Sequence, residues 1–599
     1  MANSPKVLDR LMGLETEYAV FTDIANSSSG GLSSCELFDS ICVQLAKKLP
    51  LVSSAHADQK FLANGGSISF EASISLRGEI QGLVEGATPE CRSPASLVAY
   101  QLAQDELFEE AIREIPPREK MRLLKNSADP NGHLYGVHEN YEIEIARGWR
   151  LWGLRALLVS ILPIVFTYWF LASIWLTAIQ LAGWVFVKCK LRSGGVLQSS
   201  FPTSADVSDR SNSEETPAPH QATDDENDIG RPNLNSIRAN ELRGTLLRAA
   251  ITGLRALHAP LALVLSLVIR TFIIRPQLQR LAPFFATRII LDGAGHLDEQ
   301  GKFWLGAKAS ACDGWIGLGG YWGKRPIFVF GHWLKTLCAP GTRPWRSIGR
   351  LFRSRQRVQV ALGDSCMSPM SQFLRAGITS LLFDWVEQTV PNTDVPKLVD
   401  PFQGLKSVAR DELLIAKLPD VNGKNWTALE IQYFYIEAVK DFLQQSWQVP
   451  AEAWRIVRLW QDALDSLQAA KHDSQARQTL LGRVDWLSKL WMLQQVAKDA
   501  AWGIRKKVDI RFHEMSDDGY YRKLVAVAGK YPLISAEKIR QAKRIPPSDT
   551  IASKRGYLIR EFSSSDAEVT AGWDFVRMVE GNQTTYYDLD NDFWNSSNK

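Results

Sequence analysis

The amino-acid sequence predicts an α+β protein whose strands and helices are interrupted by one long apolar segment. Period-two alternation of apolar and polar residues predicts strands at Leu11–Val20 and directly after Asn64-Gly65-Gly66. Apolar residues at helical spacing predict a helix at Pro94–Glu114 and further helices through most of residues 411–500. No charged residue occurs between Arg155 and Lys188, and an uncharged run of this length is typical of a membrane-spanning helix.

The composition excludes several function classes. The 599 residues carry 69 Lys and Arg against 65 Asp and Glu, and the net charge of +4 gives no case for a nucleic-acid partner. The seven cysteines form no C-x-x-C pair, which indicates a reducing compartment without a structural zinc site. Because the first twenty residues lack the apolar core of a signal peptide, we expect the body of the protein in the cytoplasm.

Four glutamates near the N-terminus fall on or beside predicted strands. Residues two positions apart on a strand share one face, so polar side chains of one strand gather on the same side of a sheet. Carboxylates on an open sheet face suit Mg²⁺-nucleotide chemistry or general-base chemistry, although solvent-exposed surface glutamates are the alternative. The set comprises Glu15 and Glu17 on the first strand, Glu71 beside Ser67 and Ser69 on the second, and Glu85 after a loop.

Two further stretches carry polar residues close together. Lys125–Ile145 is predicted to form two short strands around the turn residues Asp129–Gly132, and it delivers His138, Glu139 and Asn140. A lone His or Glu in such a place is usually a structural group, so this stretch is ambiguous by itself. Ala286–His296 is predicted to form a strand and a turn, and Arg357–Leu362 is predicted to form a further strand.

The apolar segment predicts an insertion at residues 149–280, with spans near 156–187 and 250–274 and a disordered acidic linker at 191–235. Basic residues flank the long run on both sides, so charge bias does not distinguish a two-span hairpin from a membrane-embedded loop. We favour the hairpin, in a cell membrane, with the remaining chain in the cytoplasm. The basic, aromatic stretch Trp333–Arg357 fits either a contact with anionic membrane lipid or a solvated loop.

Outside the insertion, the sequence resembles the Pup ligase and Pup deamidase (depupylase) family, which is bacterial. The resemblance implies that family's glutamine-synthetase-like carboxylate–amine ligase fold, an antiparallel sheet packed with helices. Its domains would cover residues 1–148 and 281–500, followed by a small C-terminal αβ domain at 501–599. The matching motifs include MGLETEY at Met12–Tyr18, FLANGG at Phe61–Gly66, EGATPEC at Glu85–Cys91, KNSADPNGHLYGVHENY at Lys125–Tyr141, RVQVALGDSCMSP at Arg357–Pro369 and VTAGWDFV at Val569–Val576.

The same resemblance implies ATP and Mg²⁺ as cofactors and gives individual residues a role. Glu71 falls where the family has a catalytic Asp, which would help deprotonate an incoming lysine. Ser67 stands where the family has a nucleotide-contacting Arg, and Ser69 where it has a metal-ligating Tyr. Matching residues are Glu15 and Glu85 for the metal, Thr88 and Trp573 for the nucleotide, Arg555 in a retained C-terminal block, and Glu17, His138, Glu139, Asn140 and Arg288 as further pocket residues.

The resemblance therefore implies ATP- and Mg²⁺-dependent ligation, or amide or isopeptide hydrolysis, on a Pup-like protein modifier. Its partners would be lysine-bearing proteins and the proteasome system, with the protein anchored in the membrane. The departures at Ser67, Ser69 and Ile551 leave two alternatives open. One is a catalytically degenerate binding or scaffold protein at the membrane, and the other is a ligase for a small amino acid or peptide.

Overall fold

The structure is a computed structural model, and it describes residues 6–22, 34–55, 58–74, 80–116, 121–130, 132–192, 252–318, 325–338, 343–389, 395–497, 499–529, 533–565 and 567–589. The chain divides into two compact units. The sheet unit comprises Met1–Ser73, Ile80–Val159 and Leu261–Lys599, and the insert unit comprises Ile74–Glu79 and Ser160–Pro260. The linker expected at 191–235 lies outside the described residues from residue 193 onward.

A 13-stranded, mainly antiparallel sheet is the centre of the fold, in the order β10-β11-β12-β7-β1-β5-β4-β3-β2-β15-β16-β17, with β6 paired to β1. Two pairs are parallel, β10 with β11 and β15 with β2. The strands are β1 (Met12–Thr22), β2 (Leu51–Ser54), β3 (Gln59–Leu62), β4 (Ser67–Ile74), β5 (Ile80–Ala87), β6 (Met121–Leu124), β7 (Val137–Glu144), β8 (His296–Leu297), β9 (Phe303–Trp304), β10 (Gly314–Gly317), β11 (Pro326–Val329), β12 (Arg355–Val360), β13 (Leu418–Pro419), β14 (Asn425–Trp426), β15 (Glu568–Ala571), β16 (Phe575–Glu580) and β17 (Gln583–Asp588).

Helices cover the sheet and form most of the second half of the chain. They are α1 (Ser34–Lys48), α2 (Pro94–Arg113), α3 (Gly148–Arg192), α4 (Thr252–Thr271), a π-helical turn (Ile269–Ile274), α5 (Arg275–Thr287), α6 (Ile289–Asp292), α7 (Ala307–Ala311), α8 (Gly331–Cys338), α9 (Pro344–Arg350), α10 (Pro369–Gln388), α11 (Pro401–Ala409), α12 (Ala428–Gln445), α13 (Ala451–Ala469), α14 (Ser474–Thr479), α15 (Asp485–Gln494), α16 (Trp502–Phe512), α17 (Tyr520–Ala528), α18 (Ala536–Arg544) and α19 (Ile551–Phe562). The predicted α+β class is confirmed.

The central strands present one polar face and one buried face. Along β7 the residues alternate between buried and half-buried, as period two requires for a sheet covered on one side. The buried face packs on helices: Thr16 of β1 hydrogen-bonds Gln101 of α2, and the Tyr18 hydroxyl donates to Asp105 on the same helix. The polar face is therefore the one on which a site can form.

The predicted strand at Ala286–His296 is wrong over most of its length. The segment begins inside α5, continues through the four-residue helix α6, and reaches strand conformation only at His296. Ile289 and Ile290 favour a strand by propensity, but both side chains are buried, and a short buried apolar run does not distinguish strand from helix. Tertiary packing decides between the two here.

Among the residues that the structure describes, two helices are long and apolar enough to cross a membrane, judged by length and composition alone. They are Gly148–Ala182 and Thr252–Thr271, close to the spans expected from sequence. Only 17% and 28% of their most apolar windows are buried, which is low for core helices of a soluble protein.

Candidate functional site

The polar face of the sheet brings four glutamates together. Glu17 of β1 lies directly opposite Glu85 of β5, and Glu15 lies opposite His138 of β7. Glu17 is buried, accepts a hydrogen bond from the Gly136 backbone N–H at 2.5 Å, and shares a side-chain hydrogen bond with Glu71. Glu15, Glu17, Glu71 and Glu85 together are called the acidic cluster below.

The charges of the acidic cluster disfavour simultaneous ionisation. Burial raises the pKa of Glu17 to about 8, with Glu71 adding to the rise and the Lys308 ammonium opposing it. The pKa of Glu85 is raised well above its usual range by burial first and then by the charges of Glu15, Glu71 and Glu17. A cation beside these carboxylates would relieve that repulsion.

The donor chemistry of the acidic cluster fits Mg²⁺, which prefers hard carboxylate oxygens. However, within the described part of the chain no three His, Cys, Asp or Glu side chains are gathered into a ready metal site. Mg²⁺ commonly completes its shell with water and phosphate oxygens, so one or two of these glutamates suffice when a nucleotide supplies the remaining ligands.

A cavity of about 420 Å³ adjoins the acidic cluster, and this volume lies within the range of small-molecule sites. Four of the residues predicted from sequence line it, namely Glu15, Thr88, Asn140 and Trp573. Thr88 is itself fixed by accepting a hydrogen bond from the Leu14 N–H at 3.0 Å. Since Glu15 belongs to both the cavity and the acidic cluster, the two form one continuous site.

Four arginines line the same cavity, a role that the sequence pattern alone does not indicate. Arg357 of β12 donates to Glu15 Oε1 at 2.8 Å and to Asn140 Oδ1 at 2.7 Å, and Arg355 donates to Glu142 at 3.2 Å. Arg350 and Arg353 precede them in the chain and complete the set. Guanidinium groups in a concave site suit phosphate or carboxylate ligands. The stretch interpreted as a lipid contact or solvated loop therefore forms a wall of the cavity.

Arg555 supports another part of the site, the residue Trp573 at the edge of the cavity. It is fully buried, ion-pairs with Glu90, and donates to the Gly65 carbonyl at 2.6 Å and the Trp573 carbonyl at 2.9 Å. Its guanidinium also lies 4.8 Å from the Trp573 ring centroid. These contacts fix Trp573 at the edge of the cavity, so Arg555 is a positioning residue.

The two serine positions lie on β4 beside β3. Ser67 is buried and accepts a hydrogen bond from Gln59 Nε2 at 3.2 Å, and Ser69 lies opposite Gln59 in the strand pairing. Neither serine lines the cavity, whereas Glu71, further along β4, is solvent-exposed beside Glu17. Gln59 is thus a further polar neighbour that sequence reasoning did not single out.

The predicted pocket residues of β7 separate onto two faces. His138 points to the polar face, with Nε2 3.8 Å from Glu17 Oε1, and burial lowers its pKa well below the usual value, so the ring is neutral. Glu139 is on the other face, fully buried, and paired with Arg288. Tyr141 donates to the same carboxylate at 2.8 Å. The structure therefore places Glu139 and Arg288 behind the sheet, as a structural ion pair.

Comparisons with known proteins agree with this architecture. The family model described as Pup-ligase protein matches residues 10–577. The Pup--protein ligase of Acidimicrobium ferrooxidans is 28% identical over 38% of this chain and 50% of its own length. The Pup deamidase/depupylase of Mycolicibacterium smegmatis is 29% identical over 37% of this chain and 43% of its own. The chain thus spans about half the length of the curated relatives it matches.

Solved structures show the same fold over nearly the whole chain. The ligase PafA in complex with the prokaryotic ubiquitin-like protein Pup superposes with a TM-score of 0.60 at 18% identity, covering 98% of this chain and 90% of that one. PafA in complex with ADP gives a TM-score of 0.54 at 16% identity, covering 95% and 94%. With the family model extending from the first strand of the acidic cluster to β16, the chain belongs to the Pup-ligase family.

Proposed function

We propose that this protein forms or cleaves an amide bond between a carboxylate of a Pup-like protein modifier and a lysine amine, using ATP and Mg²⁺. The observation that carries the proposal is that Glu15 joins the arginine-bearing cavity to the acidic cluster, because it lines the cavity and belongs to the cluster. An anionic nucleotide and a cationic amine would each find the opposite charge in this arrangement. PafA, a structural relative, binds Pup and ADP.

Each group of residues in the site has a role that follows from its chemistry. Arg355 and Arg357 bind anionic oxygens, and Thr88 and Trp573 shape the cavity around the remainder of the nucleotide. Glu15 and Glu85 would hold Mg²⁺, which supplies positive charge to the phosphates when it is bound. In the ligase direction the modifier's carboxylate oxygen attacks the terminal phosphorus of ATP and ADP leaves, after which the lysine nitrogen attacks the activated carbonyl carbon and phosphate leaves.

Glu71 is the proposed general base. A lysine arrives as an ammonium ion and must lose a proton before its nitrogen can attack, and Glu71 is exposed where such a chain could approach. Glu17 beside it has a pKa raised to about 8 and therefore retains a proton near neutral pH. The hydrogen bond between Glu17 and Glu71 orients the Glu71 carboxylate towards the open side of the sheet.

A degenerate binding protein is the second candidate, and Ser67 favours it. At the position where the resemblance expects a phosphate-binding arginine, this serine is buried against Gln59 and absent from the cavity wall. The loss of a charge-assisted contact is worth about 2 kcal/mol, unless another arginine of the cavity replaces it.

We also propose that helices α3 and α4 anchor the protein in the cell membrane as a two-span hairpin, with the sheet unit in the cytoplasm. Their length, apolar composition and low burial support this. The anchoring does not depend on whether the site is active.

The decisive experiment incubates the full-length protein, reconstituted in lipid nanodiscs, with ATP, Mg²⁺, a lysine-bearing protein and a modifier ending in Glu or Gln. We expect phosphate release together with conjugation, or else deamidation, and at least a 100-fold loss in Glu71→Gln. Glu561→Gln, which changes an exposed glutamate of α19, is the matched control and should retain full activity.

Calorimetry with ATP and Mg²⁺ distinguishes the two candidates. Binding that disappears in Glu15→Ala, without any turnover, would favour the degenerate binding protein. Absence of nucleotide binding, phosphate release, conjugation and deamidation in the wild-type protein would contradict the proposed function.

A further inference from the structure

Helix α3 begins almost directly after a strand of the sheet. Strand β7 ends at Glu144 and α3 begins at Gly148, so only residues 145–147 separate sheet from helix. On the return path, the π-helical turn ends at Ile274 and α5 begins at the next residue. The Gln277 side chain of α5 donates to the Glu144 carbonyl at 3.0 Å. The two attachment points therefore lie side by side on the sheet unit.

The first turns of α3 carry two exposed tryptophans, each beside an arginine. Trp149 and Trp152 are 72% and 69% exposed, whereas Leu154 on the same helix is buried. The Arg150 guanidinium lies 5.5 Å from the Trp149 ring centroid, and that of Arg155 lies 5.3 Å from the Trp152 centroid. These four residues, Trp149, Arg150, Trp152 and Arg155, are called the Trp–Arg collar.

The collar has the composition and the place of a membrane-interface belt. Tryptophan is enriched where an apolar environment meets water, and arginine is attracted to anionic headgroups. The collar lies immediately before the uncharged stretch that follows Arg155. With a rise of about 1.5 Å per residue, Trp152 lies within about 10 Å of the first turns of that apolar stretch, which corresponds to headgroup depth.

The collar is also bonded to a wall of the cavity. Arg155 Nε donates to the Phe352 carbonyl at 3.0 Å. Phe352 closely follows α9, whose residues Ser347 and Arg350 line the cavity. One hydrogen bond therefore links the collar to the segment that lines the candidate nucleotide site.

We propose that the Trp–Arg collar docks the sheet unit on anionic phospholipid headgroups and so holds the cavity against the membrane surface. The inference rests on the proposed anchoring and goes beyond it, because an anchor alone specifies neither the charge of the lipid nor the placement of the sheet unit. Charge complementarity and continuity with the apolar helix identify the partner as an anionic lipid surface.

The test uses the full-length protein in nanodiscs and lipids that carry bromine at the shallow end of their chains, where it quenches tryptophan fluorescence. The collar signal is the part of the tryptophan fluorescence that disappears in the double variant Trp149→Phe/Trp152→Phe. The matched control is Trp447→Phe, which removes a tryptophan that is 75% exposed elsewhere in the chain. We expect the collar signal to be quenched, about twofold more strongly by brominated phosphatidylglycerol than by brominated phosphatidylcholine. Arg150→Gln should reduce this preference.

A collar signal that neither lipid quenches, or that both quench equally, would overturn the proposal. Lipids brominated near the chain ends provide the second readout, because they report on Trp169, Trp175 and Trp184 of α3. If chain-end bromine quenches the α3 tryptophans but shallow bromine does not quench the collar, the proposed collar docking is refuted while the proposed anchoring stands. None of these measurements requires ATP or a modifier, so their outcome is independent of catalytic activity.

Discussion

Arg555 shows how one side chain can hold a site together without facing a ligand. It joins the acidic loop at Glu90, the turn at Gly65 and the edge residue Trp573, and its charge is balanced by a partly exposed carboxylate. Removal of one partner from a buried ion pair leaves the other partner uncompensated and costs about 3–5 kcal/mol. We therefore predict that Arg555→Gln lowers the free energy of unfolding by about 3 kcal/mol.

Thermal or denaturant unfolding of the purified protein measures this effect. Arg560 is the matched control on the same helix, because it is exposed and bonded to the carbonyl of Arg544. Arg560→Gln should change the free energy of unfolding by less than about 0.5 kcal/mol. Equal losses in the two variants would show that the Glu90 and Trp573 contacts contribute little.

At the residue scale, sequence patterns predicted which side chains share a face of a strand, but not which distant residues the buried side chains contact. Period two placed Glu15 and Glu17 on a common face, and the strand pairing of Glu17 with Glu85 agrees with that arrangement. The same period separates His138 from Glu139, so the division of β7 between two faces was accessible to sequence reasoning. What the pattern could not show was that Glu139 meets Arg288, which is 149 residues away in the chain.

At the scale of elements, Asp485 joins two helices and should make their contact dependent on pH. At the start of α15 it accepts hydrogen bonds from the Met367 and Ser368 backbone N–H groups, directly before α10. Burial raises the pKa of Asp485 from 3.8 to about 7, although these N–H donors oppose the rise. Between about pH 4 and 7 the folded state therefore keeps a proton that the unfolded chain has lost.

The contribution of Asp485 to the free energy of unfolding is fully present below about pH 4 and is lost as the pH rises through about 7. Asp485→Asn cannot titrate, so the difference in unfolding free energy between wild type and variant should shrink with rising pH, by up to about 1.4 kcal/mol per pH unit. Denaturant unfolding at a series of pH values measures this slope. A curve for Asp485→Asn that runs parallel to that of the wild type would contradict the prediction.

Strand β12 illustrates an element whose existence was predictable and whose role was not. The sequence predicts a strand at Arg357–Leu362, close to the observed Arg355–Val360. Its function follows from pairing with β7, which places Arg357 beside Asn140 and Glu15. That neighbour is more than 200 residues away in the chain, and long-range strand order is not encoded in a local pattern.

At the scale of the whole molecule, the sheet unit is built from segments on both sides of the insertion. β7 precedes α3 and β12 follows α5, yet they pair along six residues of each strand. The hydrogen bond from Gln277 to Glu144 connects the two places where the insertion joins the sheet unit. Thus the insertion occupies a position where the chain enters and leaves the sheet unit at almost the same place, as is usual for tolerated insertions.

We therefore predict that residues 148–274 can be replaced by a short Gly-Ser linker without unfolding the sheet unit. Because Glu144 and Gln277 are in direct hydrogen-bond contact, about four residues suffice to close the gap. The shortened protein should remain in solution without detergent and bind ATP within about threefold of the full-length affinity, since no residue lining the cavity is removed. Calorimetry and size-exclusion chromatography check both expectations. A shortened protein that is folded but binds ATP at least tenfold more weakly would mean that the insertion acts on the cavity through Arg155 and Phe352.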